Sequence, residues 1–220
     1  MKKVVLLLAL ISGVISYAQE DNLEKLTVNK NTWVLGGTLG FKNRVYKNNV
    51  DAYNEKTHFQ QYVITPTIGY AINNNLITGV KLGYSKVSNE REEYGDITSK
   101  SKDDTYEIAP FVRKFFPLGK KLALFGDAQV GYSLTKTKYP YLGAEDIVSE
   151  IKNWSFGLNP GLTYFVSKQL AFETSIGLIS YTVSKNDRSD ENTSTTEIER
   201  QNFDFNLNPN NLVFGLFYYF

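Results

Sequence analysis

The last nine residues of the chain form an apolar segment that ends on an aromatic side chain. Leu212, Phe214, Leu216, Tyr218 and Phe220 recur at every second position, which is the period of a β-strand. An apolar strand at the edge of a soluble sheet invites aggregation. A closed barrel in lipid removes that hazard, because the last strand pairs with the first and its outer face meets hydrocarbon. The segment therefore favours a chain that closes on itself within a membrane.

The first 18 residues have the pattern of a secretory signal. Lys2 and Lys3 form the charged start, residues 4–15 the apolar run, and Ser16-Tyr17-Ala18 a small-x-small cleavage site. The apolar run is shorter than the roughly 20 residues that a membrane-spanning helix needs. We therefore expect a signal peptide over 1–18, a short periplasmic lead over 19–31 and one barrel domain over 32–220.

Charge and cysteine content exclude several kinds of protein. The chain has 24 basic and 23 acidic residues, and without Lys2 and Lys3 the balance is about −1. This argues against a nucleic-acid partner. There is no cysteine, so neither a disulfide framework nor thiol chemistry is available. No metal-binding motif is present, and we expect no cofactor.

Alternation at period two continues through most of the chain and predicts eight strands. They cover 32–46, 59–72, 76–87, 105–116, 122–136, 153–166, 169–183 and 203–220. Long connections at 47–58, 88–104, 137–152 and 184–202 alternate with short ones at 73–75, 117–120 and 167–168. Even strand number and alternating loop length are typical of outer-membrane barrels. We predict an all-β, eight-stranded antiparallel transmembrane β-barrel, or ten strands if a long loop contains another hairpin.

Two local features complicate these strands. Pro66, Pro110 and Pro160 each precede a short turn at a similar depth, and proline cannot donate to the ladder of a sheet. We expect a bulge or bend at this depth. The period of the last strand breaks near 209–211, where we also expect a bulge.

The face opposite the apolar one carries small residues and a few charges, which suit the cramped interior of eight strands. Lys81, Arg113, Asp127 and Glu173 fall at similar heights when counted from the short turns. They predict an ion-pair cluster across the lumen. Glu107 with Lys42 or Arg44 is expected to form a second layer. The cluster is interpreted as a structural plug, with a polar path for ions or protons as the alternative.

Aromatic residues near the ends of the apolar faces predict two interfacial girdles. They are Tyr84, Tyr106, Tyr132 and Trp154 toward the long loops, and Trp33, Tyr70, Phe116, Tyr164 and Tyr218 toward the short turns. Tyr181 has the opposite parity, and we expect it above the membrane.

The chain resembles the small outer-membrane β-barrel family that includes OmpA-type and OmpX-type barrels. The signal peptide, the eight alternating strands, Pro66-Thr67-Ile68-Gly69-Tyr70 before an Asn-rich turn, and the terminal Phe220 carry the resemblance. It implies that the barrel-insertion machinery reads the Phe220-ended strand. We expect a monomer in the cell outer membrane, in contact with membrane lipids and lipopolysaccharide. Its long loops are then extracellular and both termini periplasmic.

The resemblance does not select one activity. We favour a non-enzymatic structural or surface-interaction role through the four outer loops, with a narrow pore for ions or small solutes as the alternative. A lipid-modifying enzyme is the third hypothesis, with His58, Ser88 and Glu90 as its only conceivable machinery. The spacing does not require that constellation, so we predict no catalytic residue.

Overall fold

The structure, a computed structural model, describes residues 25–50, 53–93, 96–139, 147–188, 196–205 and 212–220. The predicted signal peptide and the predicted bulge at 209–211 lie outside these residues. The described strands form one antiparallel sheet. They are β1 (Trp33–Val50), β2 (Tyr53–Asn73), β3 (Leu76–Glu93), β4 (Asp96–Pro117), β5 (Leu122–Tyr139), β6 (Ile147–Phe165), β7 (Leu170–Ser175), β8 (Ile179–Arg188), β9 (Thr196–Phe205) and β10 (Val213–Tyr219).

The sheet closes into a ring of eight strands. Each of β1 to β6 pairs with the next strand in the chain, and β10 pairs with both β7 and β1. β8 continues from β7 along β6, and β9 pairs with β8. The eight-stranded antiparallel barrel is therefore confirmed. The ten segments make eight strands because β8 follows β7 along β6, and β9 and β10 pair with these two segments in turn. They do not come from the additional hairpin of the alternative.

The interruption between β7 and β8 is a bulge that reverses the parity of the strand. Residues 176–178 lie opposite only Asn159 and Pro160, and the N–H groups of Ile176 and Leu178 donate to Pro160 and Leu158. One extra residue in a strand moves every later side chain to the other face. Tyr181 consequently lies on the outer face, in register with Phe156 and Phe203. The bulge explains the parity that had suggested a position above the membrane.

Pro66 and Pro110 interrupt the ladder without shifting it. Rungs are missing around Pro66 between β2 and β3 and around Pro110 between β4 and β5, while the register on either side is unchanged. A missing N–H removes a hydrogen bond but not a residue. Of the three prolines, Pro160 alone faces a bulge among the described pairings.

The long connections are mostly β-ladder and not loop, which corrects the predicted boundaries. β2 has 21 residues and β4 has 22, whereas a transmembrane strand needs only about 9–11. At about 3.3 Å per residue, β4 is roughly 70 Å long. Strands of this length are longer than the hydrocarbon core of a bilayer, which is about 30 Å thick. These hairpin segments are polar on both faces, so apolar alternation did not mark them as strands. Pairing with the neighbouring strand still satisfies their backbone N–H and C=O groups.

The core lies inside the short-turn end of the barrel. It is made of inward-facing apolar residues that are almost fully buried, including Val34, Ile77, Phe111, Phe115, Ala123, Phe125, Phe165, Phe217 and Tyr219. The large exposed hydrophobic residues, such as Leu39, Phe41 and Phe172, alternate with them on the outer face. No helix in the described part of the chain has the length and apolarity to cross a membrane.

Candidate functional site in the barrel lumen

The charged centre of the lumen is built from inward-facing residues of four strands. The Arg113 Nε donates to Asp127 Oδ1 at 2.6 Å and Nη2 to Oδ2 at 3.0 Å, while Nη1 donates to Glu173 Oε2 at 2.6 Å. Lys81 Nζ donates to Asp127 Oδ2 at 2.8 Å and to Gln129 Oε1 at 2.8 Å. Bidentate guanidinium–carboxylate pairs of this kind fix geometry as well as charge. The structure thus brings together Lys81, Arg113, Asp127 and Glu173.

Two further residues complete the hydrogen bonds of Glu173. The Tyr219 hydroxyl donates to Glu173 Oε1 at 2.7 Å, and the Thr163 hydroxyl donates to the same oxygen at 3.2 Å. Both residues are buried. A buried charge is tolerated when it is paired and its remaining lone pairs are occupied. Glu173 therefore meets both conditions.

Phenylalanine rings surround the guanidinium group of Arg113. Its Cζ lies 4.1 Å from the centroid of Phe125, 5.4 Å from Phe217, and 5.7 Å from both Phe111 and Phe115. Gly161 makes room for one of these rings, because a Cβ there would overlap Phe125. Arginine stacks well on aromatic faces, and desolvation strengthens the attraction. The cluster and the rings together fill the lumen at this level.

The lead before β1 covers the short-turn end of this filling. Val28 is 3% exposed and belongs to the core. Its N–H donates to Asn75 Oδ1 and its carbonyl accepts from the Asn75 N–H, at 2.9 and 2.8 Å. The Leu26 N–H donates to the Gly119 carbonyl at 2.9 Å, in the next turn. Residues 26–31 thus join two short turns and close the base of the barrel.

Glu107 does not form the expected second layer. Lys42 and Arg44 are exposed on β1, and neither makes an ion pair with Glu107 in the structure as described. Glu107 instead lies on β4 against two glycines of neighbouring strands, Gly83 and Gly131. The expected layer does not form because two strands of the ring separate β1 from β4. Counting residues along one strand gives the height of a side chain but not its distance around the ring.

A cavity of about 290 Å³ lies directly on the charged cluster. Its lining includes Lys81, Arg113, Asp127 and Glu173 from the cluster, together with polar residues nearer the long hairpins. Those residues include Thr38, Thr65, Glu107, Asn159 and Ser175. The lumen is therefore polar on the hairpin side and filled on the short-turn side.

Six of the predicted girdle residues form three cross-strand pairs on the outer face. Ring centroids are 5.0 Å apart for Trp33 and Tyr70, 5.3 Å for Tyr84 and Tyr106, and 5.0 Å for Tyr132 and Trp154. Toward the short turns, the Tyr70 hydroxyl donates to Asn31 and the Tyr218 hydroxyl to Gln169. Toward the hairpins, the Tyr84 hydroxyl donates to Asp104. Tyr164 is outward-facing as well, at 46% exposure.

Phe220 closes the ring at its last residue. Its N–H donates to the Trp33 carbonyl at 2.9 Å, and its carbonyl accepts from the Trp33 N–H at 2.7 Å. Its side chain remains exposed on the outer face. That the insertion machinery reads this residue stays a prediction.

His58, Ser88 and Glu90 line one small hollow on the outer face of the hairpins. His58 Nε2 lies 3.6 Å from Glu92 Oε1, and Glu90 is bound by Lys100. Among the described residues no hydrogen bond joins His58 to Ser88. A base in contact with its nucleophile is the signature of this kind of catalysis, and the hollow lacks it. Within the described residues, no group of three or more His, Cys, Asp or Glu could hold a metal ion.

Sequence reasoning missed Tyr219, Thr163 and the lead as parts of the lumen. Tyr219 alternates with the outward-facing Tyr218 and Phe220, so its inward parity could have been read from the terminal strand. Thr163 has the inward parity of its strand in the same way. The position of Val28 carries no such signal, because it precedes the first strand.

A family match agrees with this architecture. The chain matches the outer membrane protein beta-barrel domain over residues 6–220. Neisserial surface protein A is similar at 14% identity and a TM-score of 0.46, over 86% of this chain and 97% of that one. The outer membrane protein OprG from Pseudomonas aeruginosa is similar at 10% identity and a TM-score of 0.46, over 90% and 98%. Among curated protein sequences, none is significantly similar to this chain. The chain is a member of the outer-membrane β-barrel family, and the outer membrane is its location.

Proposed function

We propose that this protein is a non-enzymatic, non-conducting outer-membrane barrel that presents four long β-hairpins outside the cell. The single observation that carries the proposal is the filled short-turn half of the lumen. Arg113 and the rings of Phe111, Phe115, Phe125 and Phe217 occupy its cross-section, and Val28 covers the base. A barrel with a packed interior can support the hairpins but offers no path for transport.

Conductance in planar lipid bilayers tests the closed lumen. We expect the full chain to give no current steps above the bilayer baseline, because side chains just fill an eight-stranded interior. The double variant Arg113→Ala/Phe125→Ala removes two stacked groups that occupy the lumen and is expected to give measurable steps. Heat-dependent migration on a gel shows that the variant is folded. Uniform steps from the unsubstituted protein would contradict the proposal and favour the narrow pore.

The family architecture favours an orientation with the hairpins outside the cell and the short turns in the periplasm. The chain has no cysteine, so single cysteines can report on it without background. Ser99→Cys places an exposed thiol on a hairpin, and Lys120→Cys places one in a short turn. On intact cells, a membrane-impermeant maleimide should label the first and spare the second. The opposite labelling would contradict the orientation.

We also propose lipopolysaccharide phosphates as partners of the outer face of the hairpins. Lys102 lies directly opposite Lys138 on the neighbouring strand, and both are exposed. Like charges opposite one another destabilise a sheet. An anion between them removes the repulsion, and phosphate is the anion of that membrane surface.

Binding to immobilised lipopolysaccharide tests this partner. We expect Lys102→Gln/Lys138→Gln to weaken binding several-fold at low salt. The matched control, Lys120→Gln/Lys121→Gln, removes the same charge from a short turn and should have no effect. Equal loss in both variants would show a general charge effect and would contradict a site on the hairpins.

A further inference from the structure

The lumen cavity contains a carboxylate that has only a longer-range electrostatic interaction, with Lys81. In the described part of the chain, Glu107 makes no hydrogen bond and no ion pair, although it lines the cavity. The other four charged residues of the lining are bonded to one another, Lys81 and Arg113 to Asp127, and Arg113 also to Glu173. The lining as a whole therefore has two bases and three acids. Its excess negative charge belongs to Glu107.

The wall around Glu107 leaves space for its carboxylate. A Cβ at Gly131 would lie 2.7 Å from Glu107 Oε1, and a Cβ at Gly83 would lie 3.0 Å from the Glu107 Cβ. A side chain at Gly131 would therefore displace the carboxylate oxygen, and one at Gly83 would push the Glu107 Cβ by a few tenths of an ångström. The two neighbouring strands thus hold the carboxylate in a cradle beside the cavity.

A neutral acceptor faces the same space. Asn159 lines the cavity, and its amide makes no hydrogen bond with another described residue. Polar groups in a confined interior are normally bonded to protein or to ordered water. Glu107 and Asn159 make no hydrogen bond with another described residue, so a cation that carries hydrogen-bond donors can bind between them in place of water.

The size and the ligand set of the cavity decide the kind of cation. Its volume of about 290 Å³ is close to the lower limit of about 300 Å³ for small-molecule pockets. It greatly exceeds the roughly 30 Å³ that one water molecule occupies in the liquid. Divalent metal ions prefer several carboxylates, and the described residues offer no group of three such ligands. An anion would meet bases that are already neutralised by Asp127 and Glu173.

We propose that the cavity binds a small organic ammonium ion, with Glu107 as its counter-ion and the Asn159 amide oxygen as a second acceptor. The ligand enters from the hairpin side, because the aromatic rings and the lead close the other side. Binding does not require conduction, so this proposal and the closed lumen are tested separately.

Saturation-transfer NMR on the full chain in lipid nanodiscs tests the site. The probe is ethanolamine, which is protonated at neutral pH, and the neutral control is ethylene glycol, which is similar in size. We expect saturation transfer to ethanolamine and little to ethylene glycol. Glu107→Gln should weaken ethanolamine binding at least tenfold, and Glu107→Asp should restore part of it. Gly131→Ala should weaken binding to an intermediate degree by displacing the carboxylate.

A matched control and three outcomes decide the result. Glu199→Gln removes an acid from the exposed surface of β9 and should leave binding unchanged. Heat-dependent gel migration confirms that each variant is folded. The proposal is overturned by absent ethanolamine binding up to about 100 mM, which corresponds to a binding free energy of only about −1.4 kcal/mol. Equal binding of ethylene glycol, or undiminished binding by folded Glu107→Gln, also overturns it.

Discussion

The short-turn half and the hairpin half of this barrel use ion pairs in opposite ways. In the short-turn half, Arg113, Asp127 and Glu173 have side chains no more than 5% exposed, and aromatic rings exclude water from them. On the hairpins, Lys136 and Glu150 pair at 3.2 Å with side chains 45% and 43% exposed. The buried ion pairs fix the geometry of a packed interior, and the exposed ion pairs keep the long hairpins soluble. The same residue types thus serve different ends because their exposure to water differs.

The largest expected effect is the loss of the buried guanidinium. Arg113→Ala leaves Asp127 and Glu173 buried without their main partner, which costs about 3–5 kcal/mol of unfolding free energy. Lys136→Ala, its control on the hairpins, should cost at most about 1 kcal/mol because water solvates the remaining carboxylate. Urea unfolding in detergent micelles measures both. Equal losses would show that the two halves do not differ as described.

A smaller effect is expected at the lead. Val28→Ala removes two buried methyl groups, at about 0.8 kcal/mol per carbon, and should cost about 1–2 kcal/mol. Thr27 is the exposed neighbour, so Thr27→Ala should change the unfolding free energy by less than about 0.5 kcal/mol. The same urea titration compares them. If Val28→Ala proved as mild as its neighbour, the lead would not be part of the packed half.

The smallest effect concerns the pH response of one hairpin. The hydrogen bond from Lys100 lowers the pKa of Glu90 below its ordinary value. A carboxyl group with a lowered folded pKa contributes stability above its ordinary pKa and loses it as the pH falls through the folded pKa. Amide exchange in β3 and β4, corrected for intrinsic rates, should therefore increase modestly below about pH 4.5.

Glu90→Gln should abolish this increase, since it has no proton to gain. High salt should reduce the increase in the unsubstituted protein, because the pair is close to solvent. An acid response that persists in Glu90→Gln would assign it to another hairpin carboxylate. Short-turn amides should not respond over the same pH range.

The extent to which the fold could be predicted follows from what alternation records. Alternation reveals a strand and its two faces, as with Leu35 and Leu39 on one face and Gly36 and Gly40 on the other. The short turns lie where the alternation stops between two such strands. Alternation with apolar residues ends where the hairpins leave the apolar environment. Ladder pairing between polar strands such as β3 and β4 then depends on the neighbour and has no local signal.

The candidate site was predictable to a similar depth. Residue counts from the short turns placed Lys81, Arg113, Asp127 and Glu173 at one height. Counting could not show that Glu107 is distant from Lys42 and Arg44. Nor could it show that Val28 folds back under the core. Both depend on which strands are neighbours and on packing between distant segments.

The sequence by itself determined the class of fold. Strands with period-two alternation and an apolar strand at the chain's end have few stable arrangements besides a closed barrel in lipid. It also determined the polarity of the two faces and the charges available to the lumen. Only the tertiary structure decided which charges are paired. The bulge at 176–178 set the face of Tyr181, the ring joined Tyr219 to Glu173, and two glycines left Glu107 facing an open cavity. These outcomes depend on register between strands, and register is a property of the closed ring and not of any one segment.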